Sequence, residues 1–211
     1  MNLPPSYFCR VLRLGTALLI ALALAACGLG GRSVPVTIVA PQIDLQPHSQ
    51  GPEVAWSLQV RRPQADRMRD SEQMLIRTGS SRLQTYPAVA WLDNAPDMLQ
   101  ALTIHALDDS GRFTAVGRPG DLRARFALAS ELRRFEGVDD QASGMAVELV
   151  IQSKLIDQRS GAVAASRTFR VSEPAGGDQL DALVPAFERA IQNYFEELID
   201  WVLVEGERHG R

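Results

Sequence analysis

The chain has very little cysteine, lysine or histidine, and each scarcity excludes something. Only two cysteines, Cys9 and Cys27, occur in 211 residues. Cys9 falls in a segment that reads as removable, so the mature chain keeps one thiol and can form no intrachain disulfide. Stability must then come from side-chain packing. Lys154 is the only lysine, and the remaining basic residues are arginine. We read this as a compositional bias and not as a binding device. With 22 basic and 25 acidic residues the formal charge is −3, which gives no electrostatic case for nucleic acid. Histidine is confined to His48, His105 and His209. His105, with Asp109 one helical turn later, is the one histidine in the region that reads as folded. No HExxH, GxSxG, Walker A or CxxC pattern occurs. The acid pairs Asp108-Asp109, Asp139-Asp140 and Glu196-Glu197 lack the spaced partners of a metal site, and nothing marks Arg133-Arg134 as an anion site. We therefore expect no catalytic residue, no metal and no enzyme activity.

Long apolar runs are also missing. The longest, Leu14 to Ala26, falls short of the roughly 20 residues that a membrane-spanning helix needs. Arg10 and Arg13 flank it, and no acid occurs before Cys27. A basic start, a short apolar stretch and small residues at its end mark a secretory signal peptide. Here the end reads Leu24-Ala25-Ala26-Cys27, the lipobox pattern of bacterial lipoproteins. Leu24 suits an apolar peptidase subsite, and Ala25 and Ala26 leave the next bond accessible. The Cys27 thiol can take a diacylglyceryl group as a thioether. Cleavage would free its amine for a further acyl chain, and several chains together anchor durably. Those covalent acyl groups are the only prosthetic chemistry expected; no cofactor is implied. Cleavage leaves 185 residues and moves the charge from −3 to −5, enough for one domain with a core.

The reading divides the chain into a signal peptide (1–26), a lipidated flexible tether (27–52), a folded domain (53–204) and a polar tail (205–211). The tether is rich in Gly, Pro, Ser and Gln. It holds one apolar patch, Val36 to Val39, which suits a short edge strand between Pro35 and Pro41. In the domain, Trp56, Leu58 and Val60 alternate as in a strand. Residues 61–73 read as a polar connection, and 74–91 as short strands around Gly79-Ser80-Ser81. A helix is expected after Asn94, with Pro96 at its start, Leu99, Leu102 and Ala106 on one face, and Gly111 beyond its end. Three alternating runs follow, around Phe126 to Leu132, Met145 to Ile151 and Val163 to Val171. They are joined by two turn-like links, 136–144 and 157–161. A second amphipathic helix carries Leu180, Val184, Phe187, Ile191, Tyr194, Leu198 and Trp201 on one stripe. Asp178 is its expected N-cap, and Pro185 should kink or restart it. The fold class is α+β: a mostly antiparallel sheet with a three-stranded C-terminal meander, one face covered by two helices.

The ordered blocks carry a resemblance. They are Tyr86…Trp91-Leu92-Asp93…Pro96…Leu99-Gln100, Ser110-Gly111-x-Phe113, Phe135, and the stretches 128–137 and 146–169. Together they resemble the ABC-type transport auxiliary lipoprotein family, which includes the paraquat-inducible protein C lipoproteins. The resemblance spans roughly 54–204 and implies an α+β fold. It also implies partners: a mammalian-cell-entry (MCE) domain protein and the permease and ATPase of an ABC transporter, in a system that moves lipid between membranes. The lipoprotein would act as docking or receiving subunit, anchored by its lipid and facing the periplasm. Gly28, in place of Asp, implies the outer membrane by the usual sorting rule. The resemblance leaves room for a lipid ligand and for homo-oligomers, and Tyr86 and Trp91 mark the candidate contact region. A structural lipoprotein of another outer-membrane assembly, such as a chaperone or pilotin, fits the same features, because fold does not fix function. An enzyme dependent on histidine would have to use His105.

Overall fold

The structure is a computed structural model and describes residues 35–43, 53–140 and 144–210, without the Asp140 side chain. Leu24, Ala25, Ala26, Cys27 and His48 lie outside the described residues. Nine strands and two helices occur among the described residues: β1 (Thr37–Val39), β2 (Leu58–Val60), β3 (Gln64–Ala65), β4 (Gln73–Thr78), β5 (Arg82–Trp91), α1 (Ala95–Asp109), β6 (Val116–Gly117), β7 (Phe126–Asp140), β8 (Gly144–Asp157), β9 (Val163–Pro174) and α2 (Leu180–Gly210).

The sheet is organised around β7. On one side β7 pairs antiparallel with β8 along its whole length, and β8 pairs antiparallel with β9. This is the expected meander. On its other side β7 is lined, in parallel, by three short strands in succession: β2 beside Phe126 to Leu128, β3 beside Glu131 and Leu132, and β4 beside Glu136 to Asp139. The segment 58–78 thus runs alongside one long strand and leaves it twice. Antiparallel pairing dominates by length, and β1 on β5 and β6 on β2 add further parallel contacts. The apolar patch in the N-terminal stretch does form a strand: Thr37, Ile38 and Val39 register with Val89, Ala90 and Trp91.

One residue sets the pattern of β7. The ladder with β8 slips between Leu132 and Arg134, so Arg133 is a bulge and the alternation changes phase there. Phe126, Leu128 and Leu132 face the helices before the slip, and Phe135 and Gly137 face them after it. Gly137 is needed for close approach. A Cβ there would sit 2.6 Å from Ile76 Cδ1 and 3.4 Å from Leu183 Cδ2 on α2.

The helices cover this inner face. Phe187, Ile191, Tyr194, Leu198 and Trp201 of the expected stripe are buried, together with Leu183, Phe195 and Val202. Aromatic rings organise the interior. Trp91 stacks on Phe135 with centroids 5.1 Å apart, and both meet Phe187 edge-on at 5.0 Å. Phe169 meets Tyr194 and Trp201 edge-on at 5.3 and 5.7 Å. α1 buries Met98, Leu99, Thr103, Ala106 and Leu107, while Leu102 and Ile104 are half-buried, so its buried face is rotated slightly from the expected one. Arg62 clamps its first turn, donating to Asp97 at 2.7 Å and to Asp70 at 2.6 Å. That guanidinium holds the Asp97 carboxyl below the usual range.

Five expectations need correction. Pro185 does not restart α2, which runs as one helix from Leu180 to Gly210. It stands one turn in, where only the bond to the Asp181 carbonyl is lost. Asp178 is not the N-cap: the Gln179 carbonyl accepts from the Ala182 and Leu183 amides, while the Asp178 carboxylate accepts from Gln179 Nε2. The polar tail is helical up to Gly210, because Gly206 lies against the Trp56 ring and ties the last turns to the domain. Finally, the link expected at 136–144 is strand as far as Asp140, and the polar connection at 61–73 contains β3.

Candidate functional site

The segment around Tyr86 breaks the sheet ladder. β4 and β5 pair at Gln73↔Ala90 and next at Leu75↔Thr85. Tyr86, Pro87, Ala88 and Val89 therefore stand opposite Met74 alone. Pro87 offers no amide to the ladder, and Ala88 adopts φ 55°, the one positive φ outside glycine among the described residues. That conformation costs an L-residue about 1–2 kcal/mol and is held by its surroundings. On one side Val89 and Trp91 return to the core and pair with β1. On the other the Tyr86 hydroxyl donates to the Asp178 carbonyl, 3.0 Å away, on the lead-in to α2.

A cavity of about 540 Å³ opens beside this bulge. Ile76, Thr78, Gln84, Thr85, Tyr86 and Pro87 line it from the β4–β5 hairpin. Asp139 and Met145 line it from β7 and β8, and residues 177–179 from the lead-in to α2. Ile76, Pro87 and Met145 supply apolar surface. The Thr78 hydroxyl already accepts from Gln84 Nε2 at 3.0 Å. Among the described residues, the charged groups in the lining are Asp139 and Asp178, with no cation. Such a lining suits an apolar or neutral group and disfavours an anion.

A second cavity, of about 600 Å³, lies at the other end of the sheet, where β7 begins and α2 ends. Trp56, Arg123, Arg125, Arg159 and Glu207 dominate it. Trp56 Nε1 donates to Glu207 Oε1 at 3.2 Å. Arg125 is paired with Asp157, lies over the Phe126 ring at 4.8 Å, and holds the Asp157 carboxyl below its ordinary range.

The residues singled out from sequence separate clearly. Tyr86 is half-buried, packed partly against the core, and lines the first cavity. Trp91 is 1% exposed, inside the aromatic cluster. It presents nothing to a partner, so the candidate contact pair divides into a half-buried residue beside a cavity and a core residue. His105 and Asp109 are both exposed, and no ion pair joins them. Arg133 is matched to Glu131 at 2.9 Å and Arg134 to Glu148. Among the described residues, no group of three or more His, Cys, Asp or Glu side chains could hold a metal ion.

One polar cluster was missed. Glu136, fully buried on the outer face, accepts from Arg69 and from Arg77 at 2.5 Å each. Arg69 also pairs with Asp66. Burial alone would raise the Asp66 pKa, but the Arg69 guanidinium and amide hold it below its ordinary value. Buried Glu136 is thus matched by two guanidinium groups, and the exposed Asp66 carboxylate offsets the second positive charge. A Glu followed by Gly in a stretch that looked like a turn gave no signal of this.

The class is set by this arrangement: an α+β module, a long-stranded sheet backed by two helices, with grooves at both ends. The family follows from comparison. The family described as ABC-type transport auxiliary lipoprotein component matches residues 37–198, and the chain belongs to it. The match begins within the stretch read as tether. The chain resembles a Xanthomonas campestris protein of the DUF330 family in its crystal structure, at 34% identity and TM-score 0.78, covering 82% of this chain and 99% of that one. A crystal structure of an uncharacterized protein shares the fold at 14% identity and TM-score 0.60, covering 72% of this chain and 94% of that one. An uncharacterized protein of Bradyrhizobium diazoefficiens is 28% identical over 162 residues, which are 75% of this chain. The chain spans 43% of that relative's length.

Proposed function

We propose that this protein is the outer-membrane lipoprotein of an MCE-type intermembrane lipid transport system, with a docking or receiving role and no catalysis of its own. The observation that carries the reading is the family match over residues 37–198, joined to the Leu24-Ala25-Ala26-Cys27 lipobox upstream. Membership ties the chain to ABC-type transport. The lipobox supports an acylated Cys27, and Gly28 supports sorting to the outer membrane. Partners in this reading are the MCE-domain protein and the permease and ATPase of the same system. The cavity beside Tyr86 is the surface we assign to contact with them or with a lipid chain, because its described lining joins apolar surface from Ile76, Pro87 and Met145 to neutral polar groups and carries charge only at two acids.

The test pairs a pulldown with a deletion. The lipoprotein should retain an MCE-domain protein of the same organism, and Tyr86→Ala should weaken that retention. Deletion should make the outer membrane permeable. No association together with an intact barrier would end the reading. Cys27→Ala should release the protein from the membrane fraction.

A further inference from the structure

The folded sheet starts much closer to Cys27 than a tether of 27–52 implies. Thr37 is already paired with Val89, and nine residues, 28–36, separate it from Cys27. A chain extends at most about 3.6 Å per residue, so this link reaches no further than about 35 Å. With Cys27 acylated, the corner of the sheet that carries β1 must stay within that distance of the lipid headgroups.

That corner is apolar. Val36, Ile38 and Leu92 are 57%, 54% and 65% exposed, three of the six large apolar side chains that are exposed among the described residues. Register places Ile38 beside Ala90, on the face opposite Val39 and Trp91. The Leu92 amide donates to the Val39 carbonyl at 2.9 Å, which holds Leu92 at the same corner. The adjacent carboxylate, Asp93, accepts from the Asn94 amide at 2.8 Å. β1 is an edge strand of three residues with Pro35 and Pro41 on either side. An edge so short and so flanked offers little ladder to a partner strand. The occupant that fits exposed apolar side chains on a short leash is a lipid surface.

We propose that Val36, Ile38 and Leu92 rest in the interfacial layer of the membrane that holds the anchor, so that the domain lies oriented on the bilayer. This rests on the reading of Cys27 as acylated. The contact need not be strong, because the anchor makes it intramolecular and raises the effective concentration of membrane.

The experiment uses the full lipidated protein in phosphatidylethanolamine–phosphatidylglycerol vesicles. Acylation blocks Cys27 and processing removes Cys9, so an added cysteine is unique. Ile38→Cys, Leu92→Cys and Arg159→Cys are each labelled with a fluorophore and exposed to nitroxide lipids. Quenching at 38 and 92 should exceed that at 159 by about threefold or more, as insertion at the interface requires. Ile38→Asp should abolish the excess at 92. Equal quenching at all three sites, with the N-terminal mass showing an acylated Cys27, overturns the orientation alone. Shielding that varies with protein density but not with nitroxide lipid assigns the corner to a second copy and also overturns it. A mature protein without acyl groups overturns both this proposal and the reading beneath it.

Discussion

The two faces of the sheet are stabilised by opposite means. The inner face is dry and aromatic: Trp91, Phe135 and Phe187 form one ring cluster, and Phe169, Tyr194 and Trp201 another. The outer face is largely polar, yet it buries Glu136 completely between Arg69 and Arg77. The inner face gains free energy from every ring removed from water. The outer cluster gains little net, because attraction between buried charges mainly offsets their desolvation. What the cluster does is hold the segment around Arg69 over the outer face of β7. The comparison teaches that similar burial can mean very different contributions to stability.

The largest effect should come from breaking the inner face. Phe187→Ala removes a ring that touches both Trp91 and Phe135, and should destabilise by about 3–5 kcal/mol in denaturant unfolding. Glu136→Gln should come next, at about 3 kcal/mol, since two guanidinium groups then face a neutral amide. The contrast is sharpened by the triple variant Arg69→Met, Arg77→Met, Glu136→Leu, whose stability should equal or exceed that of the wild type. A large loss in the triple variant would show that the cluster is a true stabiliser and erase the difference between the faces.

Tyr194→Phe probes a polar group deep under α2, whose hydroxyl lies 3.5 Å from the buried Ser153 Oγ. It should cost about 1 kcal/mol near neutral pH. Burial pushes the Tyr194 pKa up to about 12 from an ordinary 10.0. The unfolded chain therefore releases this proton first. The stability linked to it is complete below pH 10 and drains away as pH rises toward 12. Unfolding midpoints measured across that window should fall in the wild type and stay flatter in Tyr194→Phe. The smallest effect belongs to the exposed outer pair: Arg134→Ala, which breaks the contact with Glu148, should change stability by no more than about 0.5 kcal/mol.

Much of the fold was legible because it follows from local periodicity. The meander, the α1 start at Asn94-Ala95-Pro96 and the stripe on α2 are patterns of apolar residues that need no knowledge of distant partners. The candidate site was less legible. Tyr86 and Trp91 look alike in sequence, but four residues opposite Met74 turn one outward and send the other to the core. Glu136 was hidden for a related reason. The slip at Arg133 shifts the phase of β7, so residues that read as a turn continue as strand.

By itself the sequence determined the candidate anchor at Cys27, the balance of charge and the choice of strand or helix for the long periodic segments. These depend on chemistry local to the chain. Only the tertiary structure decided that Thr37–Val39 joins the sheet, that three short strands share one flank of β7, that α2 continues to Gly210, and which aromatic residues are fully buried. Each of those depends on partners tens of residues away, and on bulges whose position is set by the fit between elements, which no local pattern records.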